Sequence, residues 1–345
     1  MDARDKPGHD GINFSNEPWD GQTNLSRPPA SADVALMITV VEPKSIGKLM
    51  VVVLSEDSFV DPDTINGREL RSIVEAARML GCRIYPIPVD FDECETAENA
   101  LAYLPEFDAP VVGLWAGYIP SVERYTAIFD AAAAKGVYLI NTPSQHQTAM
   151  EFDKFYPLLS ELTPDSVIAS ALDDLQIVEE RLQFPVFVRG AVKSNKDQGL
   201  AACVARDRDE LTMIAQQLLA RERRSRGKII ARRLVKFRTV AVDRQSFPIS
   251  REYRLFVCRG VVLACGFYWD EYHDTALAPA EQETIGALAI EATRRVGTPF
   301  VAVDVGQLEN GDWIVIEISD GQFAGLSHVS VFELWSKLAG ISVDP

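Results

Sequence analysis

Two carboxylates near the C-terminus stand out by type and spacing. In FVAVDVGQLENGDWIVIEISDGQ, residues 300–322, Asn310-Gly311 is a strong signal for a two-residue type I′ turn. With that turn Glu309 faces Asp312, and counting outward sets Asp304 opposite Glu317 on one face of a β-hairpin. Directly opposed residues have Cβ atoms about 4.5 to 5.5 Å apart, so the two like charges lower stability unless something offsets them. A divalent cation removes the conflict. An all-oxygen pair suits Mg²⁺, which takes one or two carboxylates and leaves its other positions to phosphate oxygens and waters. The alternative is a solvent-exposed face that tolerates the pair, with Val303, Val305, Ile314 and Ile316 covering the other face. Parity puts Ser319 on the Glu317 face and turns Asp320 away, unless a bulge or the Asp320-Gly321 turn redirects it.

Other chemistry is excluded by what the 345 residues contain. The four histidines, His9, His146, His273 and His328, form no evident Ser-His-Asp or Cys-His pattern with a nucleophile. Five scattered cysteines without a C-x-x-C pair argue against a disulfide framework or structural zinc and read as reduced thiols in a cytoplasm. DPDTING (61–67) is not a calcium loop, because Ile65 stands at its fifth position and its glycine comes one place late. Neither G-x-G-x-x-G after the first strand nor G-x-x-x-x-G-K-[ST] is present. A net charge of −16 argues against nucleic acid as the main partner, and no apolar run suggests a membrane span. Against that acidity, residues 221–238 hold nine basic side chains and one acidic one, which reads equally as a solvated helix end or as an anion site.

The elements that must carry these residues follow from periodicity. Residues 1–46 read as a disordered leader rich in Pro, Gly, Asn and Asp, and Met37 is an alternative translation start. Residues 47–144 alternate strands (48–54, RIYPIPV, 110–117, VYLI) with amphipathic helices. One helix is closed by Gly81; another is capped by Ser121 and stopped by Gly136. This is a small parallel α/β domain. From 145 to 345 the pattern turns α+β, divided at about 235. FPVFVR (184–189) and LAACVA (200–205) flank a polar loop, KIIARRLV (228–235) is a strand, and EYRLFV (252–257) meets VVLACGFYW (261–269) around Arg259-Gly260. A helix then closes on Gly297.

With FDKF (152–155), FPVFVRGAVKSNK (184–196), IIARRLVKF (229–237), SREYRLFVCRGVVLACGFYW (250–269) and VAVDVGQLENGDWIVIEISDGQFAGL (301–326) in this order, the chain resembles the ATP-grasp superfamily, and within it the arginine-to-lysine clade, over roughly residues 50 to 340. The resemblance implies an N-terminal, pre-ATP-grasp-like α/β domain followed by two α+β subdomains that clasp ATP. It implies Asp304 and Glu317 as magnesium carboxylates and Arg254 beside the transferring phosphoryl group. Arg189 stands where a phosphate-contacting lysine is usual, Lys193 and Lys196 lie in the loop over the phosphates, and Lys154 is the helix lysine. Backbone from Arg232, Arg233, Leu234 and Val235 would meet the adenine edge. The usual Glu-x-Asn is Glu317-Ile318-Ser319 here, so Asp320 is the candidate third metal ligand. Arg232 and Arg233 depart from the usual acidic or apolar residues and could instead face an anionic substrate.

The activity so implied is ATP- and Mg²⁺-dependent ligation of a small-molecule or peptide carboxylate to an amine through an acyl phosphate, releasing ADP. A non-catalytic ATP-binding module and a phosphotransferase acting on a hydroxyl are the alternatives, and a homodimer is left open. Residues 268–273 could line an acceptor site, and 323–335 could close over it.

Overall fold

A computed structural model describes residues 50–89, 96–242, 248–269, 272 and 276–341. The leader, Met37, Cys94, Asp270, Glu271 and His273 lie outside the described residues. The described residues form one compact unit built on three four-stranded sheets and one two-stranded sheet.

The first sheet is parallel, in the order β2-β1-β3-β4, from β1 (Val51–Ser55), β2 (Arg83–Pro86), β3 (Val111–Ala116) and β4 (Val137–Leu139). All five residues of β1 are buried, as a continuous apolar run requires when both faces are covered. The helices α1 (Ile65–Met79), α2 (Ala97–Ala100) and α3 (Val122–Ala133) cover it. Ser121 accepts from the Arg124 amide as the cap of α3, and Gly81 and Gly136 adopt φ of 89° and 82° where helices end.

Two helices, α4 (Pro143–Met150) and α5 (Phe152–Leu159), lead to an antiparallel sheet of order β5-β8-β6-β7. Its elements are β5 (Ser166–Ala169), α6 (Gln176–Leu182), β6 (Val186–Arg189), β7 (Val204–Ala205), α7 (Arg208–Leu219), α8 (Glu222–Ser225) and β8 (Ile229–Arg233). Val178, Val186, Val188, Leu211, Ile214 and Leu218 form its core. The strand expected over 200–205 shortens to Val204–Ala205, because a 3₁₀ turn takes up Leu200–Ala202 after Gly199 at φ 90°. The strand expected to reach 235 ends at Arg233, whose amide donates to the Asp165 carbonyl at 2.8 Å.

After the hairpin β9 (Thr239–Val242) and β10 (Pro248–Ser250) comes the third sheet, of order β12-β11-β13-β14. It contains β11 (Glu252–Cys258), β12 (Val261–Phe267), β13 (Phe300–Gln307) and β14 (Trp313–Asp320), with helices α9 (Pro279–Val296) and α10 (Val331–Leu338). One face buries Tyr253, Leu255, Val301, Val303, Val305 and Val315 together with Ile285 and Ala289 of α9. On the other face Phe256, Phe300 and Ala302 pack with Val74 of α1 and Leu334 of α10, which fixes this sheet to the N-terminal one. Among the described residues no disulfide joins Cys82, Cys203, Cys258 and Cys265, and no helix is long and apolar enough to cross a membrane.

Candidate active site

Asp304 does pair with Glu317 across β13 and β14, although not through the expected turn. Gly311 has φ 96° while Asn310 does not enter the positive region, and Gly311 N–H donates to the Leu308 carbonyl at 2.9 Å. That is a three-residue loop with glycine in the left-handed position, not a type I′ turn. It sets Gln307 opposite Trp313 and Val305 opposite Val315, so a regular ladder would bring Ile316 to Asp304. A β-bulge between Asp304 and Val305 absorbs Ile316 and restores the Asp304–Glu317 pair. Two one-residue departures cancel. The bulge also moves Ile316 off the face expected for it: a Cβ on Gly306 would lie 2.7 Å both from Ile316 Cδ1 and from the Phe237 ring. Gly306 is thus the gap into which these two apolar side chains pack.

Arg254 is the register neighbour of Asp304 on β11, so Arg254, Asp304 and Glu317 form one row across three strands. The guanidinium holds Asp304 in a fork, Nε to Oδ1 and Nη2 to Oδ2, both at 2.8 Å. Its Nη1 donates to the Gly325 carbonyl at 2.7 Å, and it lies 4.9 Å over the Tyr268 ring. Burial disfavours the Arg254 charge, but the Asp304 carboxylate more than offsets this and raises its pKa. Tyr268, the first of the proposed acceptor-loop aromatics, therefore does border the site.

The facing sheet completes the row. Arg189 at the end of β6 is buried and donates from Nη2 to Glu317 Oε1 at 2.6 Å and to the Val192 carbonyl at 2.9 Å. Burial opposes ionisation of Glu317, yet the charges of Arg189, Lys196 and Arg232 hold its pKa below the ordinary value. Arg232 on β8 is also buried. It donates to the bulged Ile316 carbonyl at 2.9 Å and to Thr163 Oγ1 at 2.8 Å, while its Nε is buried without a hydrogen-bond partner. Both guanidiniums lie over the ring of Phe152 at the start of α5, Arg189 at 5.4 Å and Arg232 at 5.0 Å. Burial, then repulsion from Arg189, pulls the Arg232 pKa down to about 10.

Glu252 is a component that sequence reasoning passed over. It lies on the Arg254 face of β11, is 3% exposed, and accepts from Ser250 Oγ at 2.9 Å. Burial pushes its carboxyl up to about 7, against the pull of Lys196 and with the repulsion of Asp304. Its place two residues before Arg254 was the available signal.

The remaining expected residues divide. Lys196 Nζ lies 5.7 Å over the Phe187 ring, close enough to bias both Glu252 and Glu317. Lys193 is exposed on the same loop. Leu234 and Val235 lie on the irregular segment that leaves β8 towards Phe237. Lys154 pairs with its neighbour Asp153 at 3.5 Å, and Arg233 with Asp165 at 3.6 Å, both at the rim.

Asp320 is not brought to the carboxylate pair. It pairs with Val301, which puts it on the opposite face, fully buried. There Asn141 Nδ2 donates to Oδ1 at 2.9 Å, His146 Nδ1 meets Oδ2 at 2.9 Å, and the Gln322 amide donates to Oδ1 at 3.0 Å. His146 stacks on Tyr125, with centroids 4.1 Å apart. The parity expectation describes this placement; the ligand expectation does not. Among the described residues no three His, Cys, Asp or Glu side chains are grouped to hold a metal.

Residues 174–338 match the model of an ATP-grasp domain family, family 3 of the arginine-to-lysine clade. Over those residues the chain is similar to an ATP-grasp domain of that clade. The solved structures it resembles have the same fold. One is a RimK domain protein ATP-grasp from Sphaerobacter thermophilus DSM 20745, 16% identical, with 85% of this chain and 99% of that chain covered and a TM-score of 0.55. Another is a D-alanine–D-alanine ligase from Bacillus anthracis complexed with ATP, 13% identical, 81% and 87% covered, TM-score 0.56. D-cycloserine synthetase DcsG is 14% identical, 84% and 98% covered, TM-score 0.55. No curated protein matches the chain by sequence. Within the matched residues Arg189 and Arg232 of the second sheet meet Glu317 and the Ile316 carbonyl of the third where the two sheets face each other.

Proposed function

We propose that the protein is an ATP-dependent ligase that activates a carboxylate as an acyl phosphate, releases ADP, and passes the acyl group to an amine with loss of phosphate. The row Arg254–Asp304–Glu317, met by Arg189 from the opposing sheet, carries this reading. Phosphoryl transfer requires positioning and charge stabilisation more than a protein nucleophile, and this site supplies guanidiniums and carboxylates.

The donor chemistry fits Mg²⁺. Arg254 takes one lone-pair site on each Asp304 oxygen and Arg189 one on Glu317 Oε1, so acceptor capacity remains on both carboxylates. Two carboxylates, with phosphate oxygens and waters for the rest, are a usual set for this ion. When bound, Mg²⁺ would neutralise β- and γ-phosphate charge. The protein's own residues do the remaining work. Arg254, oriented by Asp304, keeps one Nη1 and one Nη2 hydrogen for the γ-phosphoryl oxygens and stabilises the charge that develops there. Arg189, backed by Phe152 and Arg232, counters charge from the other side. Lys193 and Lys196 cover the phosphates, Ile316 and Phe237 offer an apolar surface to the purine, and backbone at Leu234 and Val235 meets its edge. Lys154 and Arg233 contribute from the rim.

Incubation with Mg-ATP, hydroxylamine and a panel of amino acids, hydroxy acids and peptides tests the route. Hydroxamate and ADP in equal amounts are expected; AMP and pyrophosphate would exclude the acyl phosphate.

A further inference from the structure

The loop after β6 carries Lys193 and Lys196, and the hold of Arg189 on its Val192 carbonyl is only part of what fixes it. It is fastened to the basic turn that precedes β8. The amides of Val192 and Lys193 both donate to the Arg224 carbonyl, at 2.9 and 3.2 Å, and that of Ala191 to the Ser225 carbonyl at 3.3 Å. Side chains tie the next residues: Arg224 Nη1 donates to the Ser194 carbonyl at 2.6 Å, and Arg221 Nη1 to Asn195 Oδ1 at 2.9 Å. Asn195 is fully buried between the two lysines. A Cβ at Gly190 would fall 2.3 Å from the Arg224 carbonyl oxygen, so only glycine permits this approach of two backbones. At the end of the turn Arg226 Nη2 donates to the Pro120 carbonyl at 3.4 Å, which ties the brace to the N-terminal sheet's loops.

We propose that residues 221–226 brace the loop over the nucleotide phosphates, with Arg221 and Arg224 as positioning residues that act through Lys193 and Lys196. This deepens the nucleotide-binding reading above and rests on it. Part of the positive run in the sequence is therefore engaged inside the molecule, and is neither a solvated surface nor an anion site of its own. The physical gain is pre-organisation. A loop fastened before binding does not lose its backbone freedom at the moment of binding, so the lysines meet the phosphates at lower entropic cost.

Calorimetric titration of wild type and the variants R221Q, R224Q, R224K and R223Q with AMP, Mg-ADP and the Mg complex of the β,γ-imido analogue of ATP tests the brace. Arg223 is exposed on the same turn, and R223Q removes the same charge. R221Q and R224Q are expected to weaken analogue binding about tenfold, ADP less, and AMP not at all, since only the phosphate end is under the loop. R224K should retain most of the affinity, because an ammonium still reaches the Ser194 carbonyl. Wild-type affinity in R221Q and R224Q would overturn the proposal. So would an equal loss in R223Q, which would assign the effect to net charge, or an equal loss for AMP, which would assign it to general damage. If the wild type binds none of the three, the nucleotide-binding reading fails first.

Discussion

Replacing Arg254 with methionine would remove the fork that neutralises Asp304 and leave a carboxylate with 6% side-chain exposure beside Glu317. Breaking one partner of a buried pair costs about 3–5 kcal/mol when the remaining charge has no relief. Here the side chain of Arg254 keeps 12% exposure, so a loss of about 2–4 kcal/mol is the reasoned value. For a folded unit of this size each kcal/mol moves the melting temperature by roughly 2 °C, giving a fall of about 4–8 °C. The variant should then bind bare Mg²⁺ better than the wild type, because the cation occupies the position the guanidinium has left. With a dissociation constant of about 1 mM, 10 mM Mg²⁺ would return about 1.4 kcal/mol, or roughly 3 °C. Thermal unfolding followed by circular dichroism in EDTA and in MgCl₂ reads both effects. A variant that melts within about 1 °C of wild type in EDTA, or one that gains no more from Mg²⁺ than the wild type, would refute the reasoning.

Glu252 titrates at about 7 in the folded chain against an ordinary 4.5. Between those values the folded state holds a proton that the unfolded state has lost, so stability falls as pH rises from about 4.5 to about 7. Glu252→Gln should remove up to about 3 kcal/mol of that dependence relative to wild type, measured by urea unfolding at pH 5 and pH 8; parallel pH dependences in the two proteins would contradict it. Asp320→Asn should cost about 1–3 kcal/mol through its lost charge-assisted bonds and leave Mg-nucleotide affinity within about twofold, whereas a role as metal ligand requires a large loss in calorimetry. Arg189→Met should weaken binding of the Mg-bound ATP analogue about tenfold or more by removing a charge-assisted contact, and unchanged affinity would take Arg189 out of the site.

Much of this was legible in the chain because local rules agreed with the tertiary ones. The parallel N-terminal sheet declared itself through continuous apolar runs and helix caps, and Arg259-Gly260, with φ of 48° and 78°, does form the tight hairpin turn expected there. The carboxylate pair came out right although its turn was misjudged, since a one-residue error at Gly311 was cancelled by a bulge at Ile316 that no periodicity signals. Asn-Gly marks a tight turn strongly but does not choose between a two-residue and a three-residue loop; the contacts of Gln307, Leu308 and Asp312 with their surroundings do. Asp320 illustrates a different limit. A carboxylate three residues after Glu317 looks like a further ligand until the third dimension supplies His146 and Asn141 as its partners. Glu252 and the Arg221–Arg224 brace were hidden for the same reason: their contacts lie across strands or on segments some 30 residues apart.

The dependence of nucleotide binding on Mg²⁺ in wild type and in Glu317→Gln tests the central assignment most directly. Glu317 is partly exposed, so the variant is expected to fold. Titration of the β,γ-imido ATP analogue should show wild-type affinity rising at least tenfold between EDTA and 5 mM Mg²⁺, and the variant should show little or none of that gain. Binding of equal strength with and without Mg²⁺ in the wild type, or an undiminished Mg²⁺ effect in the variant, would contradict a site built on Asp304 and Glu317.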